Sequence, residues 1–318
     1  MIYIHKDYQY STKEYKWFQF FCRILKLKHK LINAHDIDLV NSLEIKDDDI
    51  LVARFAHQIE DKRKTNLTFP TLQKKFKKTY PSKESYYYYD DKLKQYEFML
   101  ENDIPCLETH YVGSKEDIKE LNMNYPIVTK KICGAGSEQV NYFETLDSVV
   151  DDETTRSWTG DSIYPCLVQE YVDCEYDLRL NFVNEKLFIW KRLHNWKNGD
   201  SNNFPYGTEE VPSEIRQRDK AAPNKPPILE RVELDETLDN YKLIKQLYSM
   251  QEKLNTNYMS WDVIKGKVLE FSVISDRTAE NQYFDMNSNK LMKYDNLQMK
   301  FEKHKIYYEI LIGLTNIY

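Results

Sequence analysis

Glycine and long apolar segments are both scarce in this chain of 318 residues. Only 8 residues are glycine, so the presence of Gly134 and Gly136 in one short stretch is informative. The longest apolar runs, such as ILIGL near the last residues, fall far short of the roughly 20 that a membrane-spanning helix needs. An excess of basic residues is lacking too, since 45 Lys and Arg against 51 Asp and Glu give a net charge of −6. We therefore predict neither a membrane span nor a nucleic-acid-binding surface, which would normally be basic.

The cysteines include no pair at the CxxC spacing. They are odd in number and scattered, at Cys22, Cys106, Cys133, Cys166 and Cys174. Such a set indicates reduced cytosolic thiols rather than a disulfide framework or a zinc site. The first residues, MIYIHKDYQY, also lack the apolar stretch of a secretory signal. We predict a cytoplasmic protein.

Hydrophobic patterning predicts alternating strands and helices over about the first 90 residues. Residues 1–6, 29–35 and 50–56 are typical of strands, and residues 11–25 of a helix with Ser11 as its N-cap. This alternation favours an open, mostly parallel sheet in a compact N-terminal α/β unit.

The rest of the chain mixes strand and helix patterns. Helices are predicted at residues 90–103, 234–255 and 296–314. Strands are predicted at residues 107–112, 125–131, 165–172, 177–184, 186–193, 258–264 and 267–274, with tight turns at Asn184-Glu185 and Lys265-Gly266. Residues 195–207 have loop composition, and residues 208–233 form a charged, proline-rich loop or short insert.

A lysine followed by small residues is the first motif with chemical content. Lys130 closes a predicted strand, and Gly134, Ala135, Gly136 and Ser137 follow. A loop of small residues lets backbone N–H groups approach phosphate oxygens, and a neighbouring lysine adds a positive charge. For this motif alone we favour the plainer interpretation, a glycine turn between two strands with an exposed lysine, because it matches neither the GxGxxG nor the Walker spacing.

A predicted hairpin carries two acids, Asp262 and Glu270. Across a tight turn at Lys265-Gly266 both can point to one face and share a hard cation such as Mg²⁺. Glu270 and Ser272 alternate correctly to lie on the same face. Ordinary surface acids on an exposed hairpin are an equally weighted alternative, although acids within apolar runs need partners or a metal.

The third motif is the strand ending in Gln169 and Glu170, followed by a second strand with Asp177 and Arg179. The first strand can offer backbone groups to a purine edge, and Asp177 and Arg179 share one face of the second strand. Alone, this pattern is more often structural than functional.

In this order the motifs resemble the ATP-grasp superfamily. The matching segments are YYDDKLKQYEFMLENDIPCLETHYV, YPIVTKKICGAGSEQV, LVQEYV, YDLRLNFVNEKLFIWKR and SWDVIKGKVLEFS, which span roughly residues 80–275. The sequence looks most like the branch of glutathione synthetase and the ribosomal-protein glutamate ligase. Within it, the nearest resemblance is to a group associated with bacterial cell-surface polysaccharide genes.

The resemblance implies a mixed α/β and α+β architecture, an ATP-grasp fold with an N-terminal Rossmann-like pre-grasp domain. Residues 1–88 would form the pre-grasp domain and residues 89–168 the small lobe with the glycine loop. Residues 169–318 would form the large lobe, with the metal site and the closing helix. A homodimer is expected because dimers are common among such folds.

The resemblance also implies site residues. Lys92 and Lys130 would bind ATP phosphates, and the loop of Gly134, Ala135, Gly136 and Ser137 would close over them. Gln169, Glu170, Tyr171 and Val172 would form the adenine-side hinge, with Asp177 near the ribose. Arg179 would face the substrate cleft, and Arg192 would stabilise the transferred phosphoryl group. Asp262, Glu270 and Ser272 would hold Mg²⁺.

Two departures from the family pattern matter. Where the family commonly has asparagine two residues after the metal-bridging glutamate, this chain has Ser272. Its hydroxyl is still an oxygen ligand, but we expect weaker metal binding. The family also often has an arginine in the loop after the basic pair; residues 194–207 contain none, which leaves His194 and Lys197 as candidates.

The resemblance implies an ATP-dependent carboxylate–amine ligase that forms an amide through an acyl phosphate and releases ADP. Its partners would be a small-molecule, sugar or peptide carboxylate and an amine, with ATP and Mg²⁺ as cofactors. Two alternatives stay open, namely phosphoryl transfer to a hydroxyl on the same scaffold and a nucleotide-binding protein without catalysis. The presence of both lysines and both metal acids counts against the second. Residues 208–233 and the closing helix would shape the acceptor pocket.

Overall fold

Three β-sheets organise the part of the chain that the structure, a computed structural model, describes. That part comprises residues 1–6, 14–55, 59–133, 140–145, 164–174, 176–193, 239–274, 282–293 and 304–316. No helix in these ranges is long and apolar enough to cross a bilayer.

The N-terminal sheet is parallel, as the alternating pattern predicts. Its strands are β1 (Ile2–His5), β2 (His29–Ile32), β3 (Ile50–Val52) and β4 (Lys78–Tyr80), in the order β2-β1-β3-β4. Parallel neighbours need crossover connections, and the helices between them are α1 (Glu14–Ile24), α2 (Ile37–Ser42) and α3 (Ile59–Lys75). β1 and β3 are buried along their length, as strands covered on both faces should be.

The middle sheet is antiparallel and has the order β5-β8-β6-β7. Its strands are β5 (Thr109–Val112), β6 (Ile127–Lys131), β7 (Val140–Phe143) and β8 (Cys166–Glu170). The helices of this region are α4 (Lys83–Tyr86), α5 (Lys92–Glu101) and α6 (Lys115–Glu120). A capping box of Ser114 and Asp117 starts α6 and satisfies its first N–H groups.

The third sheet has the order β12-β11-β9-β10-β13-β14, with antiparallel neighbours throughout. Its strands are β9 (Tyr176–Val183), β10 (Lys186–Leu193), β11 (Tyr258–Ile264), β12 (Lys267–Ser272), β13 (Gln282–Asp285) and β14 (Lys290–Lys293). Helices α7 (Asp239–Lys253) and α8 (Lys305–Thr315) accompany it. At the turn between β11 and β12, Lys265 and Gly266 have φ angles of 46° and 78°, which suit a two-residue hairpin.

Helix α8 joins the third sheet to the N-terminal unit. Phe18 of α1 packs edge-on against Tyr307 of α8, with ring centroids 5.0 Å apart. On the other side of α8, Lys186 at the start of β10 forms a 2.6 Å ion pair with the buried Glu309. One apolar cluster therefore includes β1, β3, α1, α8 and the start of β11.

The predicted strands and helices are confirmed within the described residues, with shifted ends. The predicted closing helix begins at Lys305 in α8, whereas Ser11 and residues 294–303 lie outside the described part. Helices α3, α4 and α6 and strands β4, β13 and β14 were not predicted. The domain division stays a prediction, and its boundary between residues 168 and 169 falls within β8.

Candidate active site

A row of three charged residues crosses the third sheet. Asp262 on β11 lies directly opposite Glu270 on β12 and, on its other side, opposite Arg179 on β9. The ladder shifts by a β-bulge immediately after Asp262. Direct cross-strand partners have side chains on the same face of a sheet. The predicted acid hairpin therefore presents both acids together, with an arginine as the third member.

Arg179 holds Asp262 through two hydrogen bonds. Its Nε donates to Oδ1 at 2.8 Å and its Nη2 donates to Oδ2 at 3.0 Å. The side chains retain 18% and 4% exposure respectively, so the pair is largely removed from water. Two parallel charge-assisted bonds of this kind are strong and directional. The arginine predicted to face the substrate cleft thus has the predicted metal ligand as its counter-ion.

A second acid lies on the same strand as Arg179. Asp177 of β9 is 2% exposed, and its register partner on β10 is Arg192. Only the backbone position of Arg192 belongs to the described structure. The register therefore places the backbones of Asp177 and Arg192 opposite each other on neighbouring strands.

Lys92 reaches this row from α5. It is the first residue of that helix, whose N-cap Asp91 accepts a 3.2 Å hydrogen bond from the Lys94 N–H. The Lys92 amine lies 3.8 Å from Oε2 of Glu270, longer than a hydrogen bond but within ion-pair distance. Helix α5 therefore places the positive charge of Lys92 beside Glu270, the most exposed residue of the charged row.

Lys130 enters from β6. The backbone N–H of Lys92 donates to the Ile132 carbonyl at 2.9 Å, which ties the start of α5 to the end of that strand. Burial lowers the pKa of Lys130 below its ordinary value. The negative charges of Glu270, Asp262 and Asp177 oppose this shift, and the positive charge of Lys92 adds to it. A buried amine with these neighbours would be stabilised by a polyanion such as a nucleotide phosphate chain.

Two residues that the motifs did not single out hold these elements together. Gln95 of α5 is buried, and its side-chain carbonyl accepts from the Phe271 N–H of β12 at 3.2 Å. Lys62 of α3 donates to the Asp90 carbonyl at 2.8 Å and lies 3.6 Å from the sulfur of Cys133. Neither has a recognisable spacing, because these contacts join segments that are distant along the chain.

The predicted adenine-side hinge begins in the last two residues of β8 and continues beyond it. The Gln169 side chain is buried and donates to the Thr109 hydroxyl at 2.7 Å, so it serves the sheet. Glu170 is exposed and accepts a 3.0 Å hydrogen bond from Asn124. The residues after β8, Tyr171 and Val172, are partly buried.

The Tyr171 ring packs edge-on against that of Tyr142 on β7, with centroids 4.9 Å apart. Burial raises the pKa of Tyr171 to about 12, and nearby Asp173 adds to the shift. The phenol is therefore neutral at physiological pH. The pair gives the end of β8 an aromatic surface of the kind on which a purine stacks.

The three predicted metal ligands differ in the contacts that their side chains make. Asp262 is bound by Arg179. The Ser272 hydroxyl donates to the Ile274 carbonyl at 3.1 Å and accepts from the Ile274 N–H at 3.3 Å. Glu270 retains 34% side-chain exposure and lies 3.8 Å from the Lys92 amine, and its negative charge also acts on Lys130. No group of three or more His, Cys, Asp or Glu residues that could hold a metal occurs in the described ranges. The carboxylate and hydroxyl oxygens of the predicted set are donors of the kind that Mg²⁺ prefers.

Several predicted residues lie outside the described structure. These are Gly134, Ala135, Gly136 and Ser137 of the small-residue loop, the loop candidates His194 and Lys197, and residues 208–233. Their assignment stays a prediction. Cys133, the last described residue before that loop, pairs through an isolated bridge with Asp91, so the loop departs from a point beside the start of α5.

No family model matches the sequence, and neither does any curated protein. The fold does have solved counterparts. A Bacillus anthracis D-alanine–D-alanine ligase superposes with a TM-score of 0.58 at 13% identity, over 99% of this chain and 97% of that one. A Chryseobacterium gregarium RiPP-associated ATP-grasp ligase, in complex with ADP and a leader and core peptide, gives 0.60 at 12%, over 99% and 96%. A RimK-domain ATP-grasp protein from Sphaerobacter thermophilus gives 0.52 at 14%, over 86% and 91%. The chain therefore has the ATP-grasp fold.

Proposed function

We propose that the protein is an ATP-dependent carboxylate–amine ligase of the ADP-forming type. The observation that carries this proposal is the convergence of Lys92, Lys130 and Glu270, from α5, β6 and β12, in a chain with the ATP-grasp fold. Two lysines beside an exposed acid suit a nucleotide phosphate chain with its cation. Similar structures that are named as ligases support the same class of reaction.

The proposed nucleotide site uses residues on both sides of the cleft. Lys92 and Lys130 bind the phosphates, and the loop of Gly134, Ala135, Gly136 and Ser137 closes over them. The adenine lies against the segment from Gln169 to Val172, where the backbone and the Tyr171 ring can meet it. Asp177 lies near the ribose. Glu270 would hold Mg²⁺, which when bound would neutralise charge on the β- and γ-phosphates.

The chemistry proceeds in two balanced steps. A carboxylate oxygen of the first substrate attacks the γ-phosphorus, the bond to the bridging oxygen breaks, and ADP leaves. The amine of the second substrate then attacks the acyl carbon, inorganic phosphate departs, and the amine proton is released. The protein contributes positioning and charge. Lys92, Lys130 and Arg192 carry the positive charge beside the transferred group, and Arg179 lies toward the substrate cleft. Because acyl phosphates hydrolyse easily, loops that exclude water are needed as well.

The substrate proposal follows the resemblance. The carboxylate and amine belong to a cell-surface polysaccharide precursor or to a peptide, bound by a homodimer in the cytoplasm. None of the five cysteines forms a disulfide in the described structure, which is compatible with a reducing compartment.

Binding of a non-hydrolysable ATP analogue is the first test. A ligand at a hundred times its dissociation constant stabilises a protein by about 2.7 kcal/mol, which a thermal unfolding assay detects. Lys130→Ala should abolish the shift. Lys131→Ala is the matched control, because successive strand residues point to opposite faces. Absence of a shift in the unmodified protein would overturn the proposal and favour a role without catalysis.

Product analysis is the second test. With candidate carboxylates and amines, a ligase releases ADP and inorganic phosphate together, and hydroxylamine traps its acyl phosphate as a hydroxamate. A stable phosphoester without free phosphate would instead identify a phosphotransferase.

A further inference from the structure

A cavity lies at the far end of α5, away from Lys92. Its volume is about 560 Å³, within the range of about 300–1,000 Å³ that is usual for small-molecule sites. The helix begins at Lys92 and ends at Glu101, which lines the cavity. At about 1.5 Å per helical residue, these two positions are about 13 Å apart along the axis. The cavity is therefore separate from the proposed nucleotide site.

Aromatic rings line the bottom and the edge of this cavity. The buried Phe69 of α3 packs against Tyr86 of α4 with ring centroids 4.0 Å apart, and the buried Phe98 of α5 packs against Tyr88 at 4.9 Å. Tyr87 is 60% exposed, and its ring lies 5.1 Å from that of Tyr88. Because these rings already hold one another in place, an aromatic ligand can pack against them at a small cost in side-chain entropy.

Two polar side chains of the lining have unused hydrogen-bonding capacity. Among the described residues, none forms a hydrogen bond with the hydroxyl of Tyr88 or with the side-chain amide of Gln73. Both residues are partly buried. Apolar surface combined with a few polar groups of this kind is typical of a ligand site.

The charged residues of the lining are balanced in sign. Lys83 and Glu84 belong to the start of α4. Glu101 and Lys253 end α5 and α7. Within the described structure no ion pair joins any two of these four, and Lys253 donates instead to the side-chain oxygen of Asn102. A ligand with a single charge would meet as many like charges as opposite ones, whereas a zwitterion can place each of its charges beside the opposite sign.

The position of one acid relative to the rings is also defined. Burial raises the pKa of Tyr88, and the negative charge of Glu101 adds to the shift. The Glu101 carboxylate therefore acts on the ring of Tyr88. A positively charged group of a ligand that packs against this ring would be attracted both by the carboxylate and by the ring face.

We propose that this cavity is a binding site for a zwitterionic aromatic amino acid. The ligand's ring packs against Tyr87 and Tyr88, its ammonium group lies toward Glu101, and its carboxylate lies toward the lysines of the lining. No residue assigned to the nucleotide site lines the cavity, so the inference does not depend on the proposed ligase chemistry.

Ligand-detected NMR titration of the full chain with three matched probes tests the proposal. L-tryptophan carries both charges, tryptamine lacks the carboxylate, and indole-3-propionate lacks the ammonium group. L-tryptophan should bind saturably and about two- to fivefold more tightly than either analogue, since one exposed ion pair contributes up to about fivefold.

Three variants locate the bound probe. Tyr87→Ala removes an exposed ring and should weaken L-tryptophan binding about two- to twelvefold, the effect of one aromatic pair. Tyr111→Ala is the matched control, because Tyr111 is 54% exposed on β5 and does not line the cavity. Its dissociation constant should equal that of the unmodified protein. Glu101→Gln should weaken binding of L-tryptophan and tryptamine but not of indole-3-propionate, a pattern that a general loss of structure would not give.

Several results would overturn the proposal. Absence of saturable binding, or equal affinity for the three probes, would contradict the ligand class. Unchanged binding in Tyr87→Ala, or equal weakening in Tyr111→Ala, would place the ligand elsewhere. Gel filtration of the same proteins tests a different occupant. A dimer that Tyr87→Ala converts into a monomer would show that a second copy of the chain covers the cavity.

Discussion

Removing one partner of the Arg179–Asp262 pair should destabilise the protein far more than removing both. Arg179→Met leaves a buried carboxylate without its two charge-assisted hydrogen bonds. Hydrogen bonds to charged groups contribute about 1.5–3 kcal/mol each, so two give about 3–6 kcal/mol. Removal of one partner of a buried pair costs about 3–5 kcal/mol in other proteins. Because the Arg179 side chain is 18% exposed, we expect the lower end of that range, about 3 kcal/mol.

The double variant Arg179→Met with Asp262→Leu removes both charges of the pair. Apolar replacements of a buried ion pair are often neutral or stabilising, so its free energy of unfolding should lie within about 1 kcal/mol of that of the unmodified protein. The coupling energy between the two changes would then approach, in magnitude, the sum of the costs of the two single changes.

Urea unfolding followed by tryptophan fluorescence, in EDTA and without nucleotide, measures this double-mutant cycle. The slope of the free energy against urea should be the same in all four proteins, so that midpoints report stability. If the changes in the free energy of unfolding of the two single variants sum to that of the double variant within about 0.5 kcal/mol, the two side chains act independently. That result would refute both the geometry and the argument built on it.

Three further predictions concern other parts of the molecule. His5 is buried, its Nδ1 accepts from the Ala34 N–H at 3.0 Å, and burial lowers its pKa from 6.5 to about 3. Since the unfolded chain then binds a proton that the folded chain does not, stability should fall as the pH drops from 6.5 toward 3. His5→Asn, which keeps an acceptor, should flatten this slope by up to about 1.4 kcal/mol per pH unit. Urea midpoints at pH 7 and 5 test this, and an equal effect of His29→Asn would contradict it. Gly313→Ala in α8 should destabilise by about 1–3 kcal/mol, because the added methyl group would collide with Asn184 and Asn257; a higher melting temperature would show that the contact relaxes. Ser272→Ala should change the ratio of the ADP dissociation constants in EDTA and in Mg²⁺ by less than about threefold, because the hydroxyl serves a local turn. A loss of this ratio as large as that in a Glu270→Gln variant would instead indicate that Ser272 binds the metal.

Alternation of strand and helix patterns was sufficient to predict the parallel N-terminal sheet. Helix α3 escaped prediction because Pro70 lies inside it, and an interior proline removes a hydrogen bond and argues against a helix. Tertiary packing overrides that local cost, since Phe69 and Leu72 of the helix are buried in the core. Strands β13 and β14 also escaped prediction, although other strands of four residues were predicted.

In the acid hairpin, the sequence spacing predicts the contact within the hairpin but not the contact with the neighbouring strand. Two positive φ angles at Lys265 and Gly266 make the tight turn, so the sequence interval between Asp262 and Glu270 predicts that they face each other, and the structure pairs them. The partner of Asp262 on its other side comes from β9, 83 residues away along the chain. No interval within the hairpin carries that information. A motif can therefore indicate which oxygens share a face, whereas the ion pair between Arg179 and Asp262 follows from the register of β9 and β11.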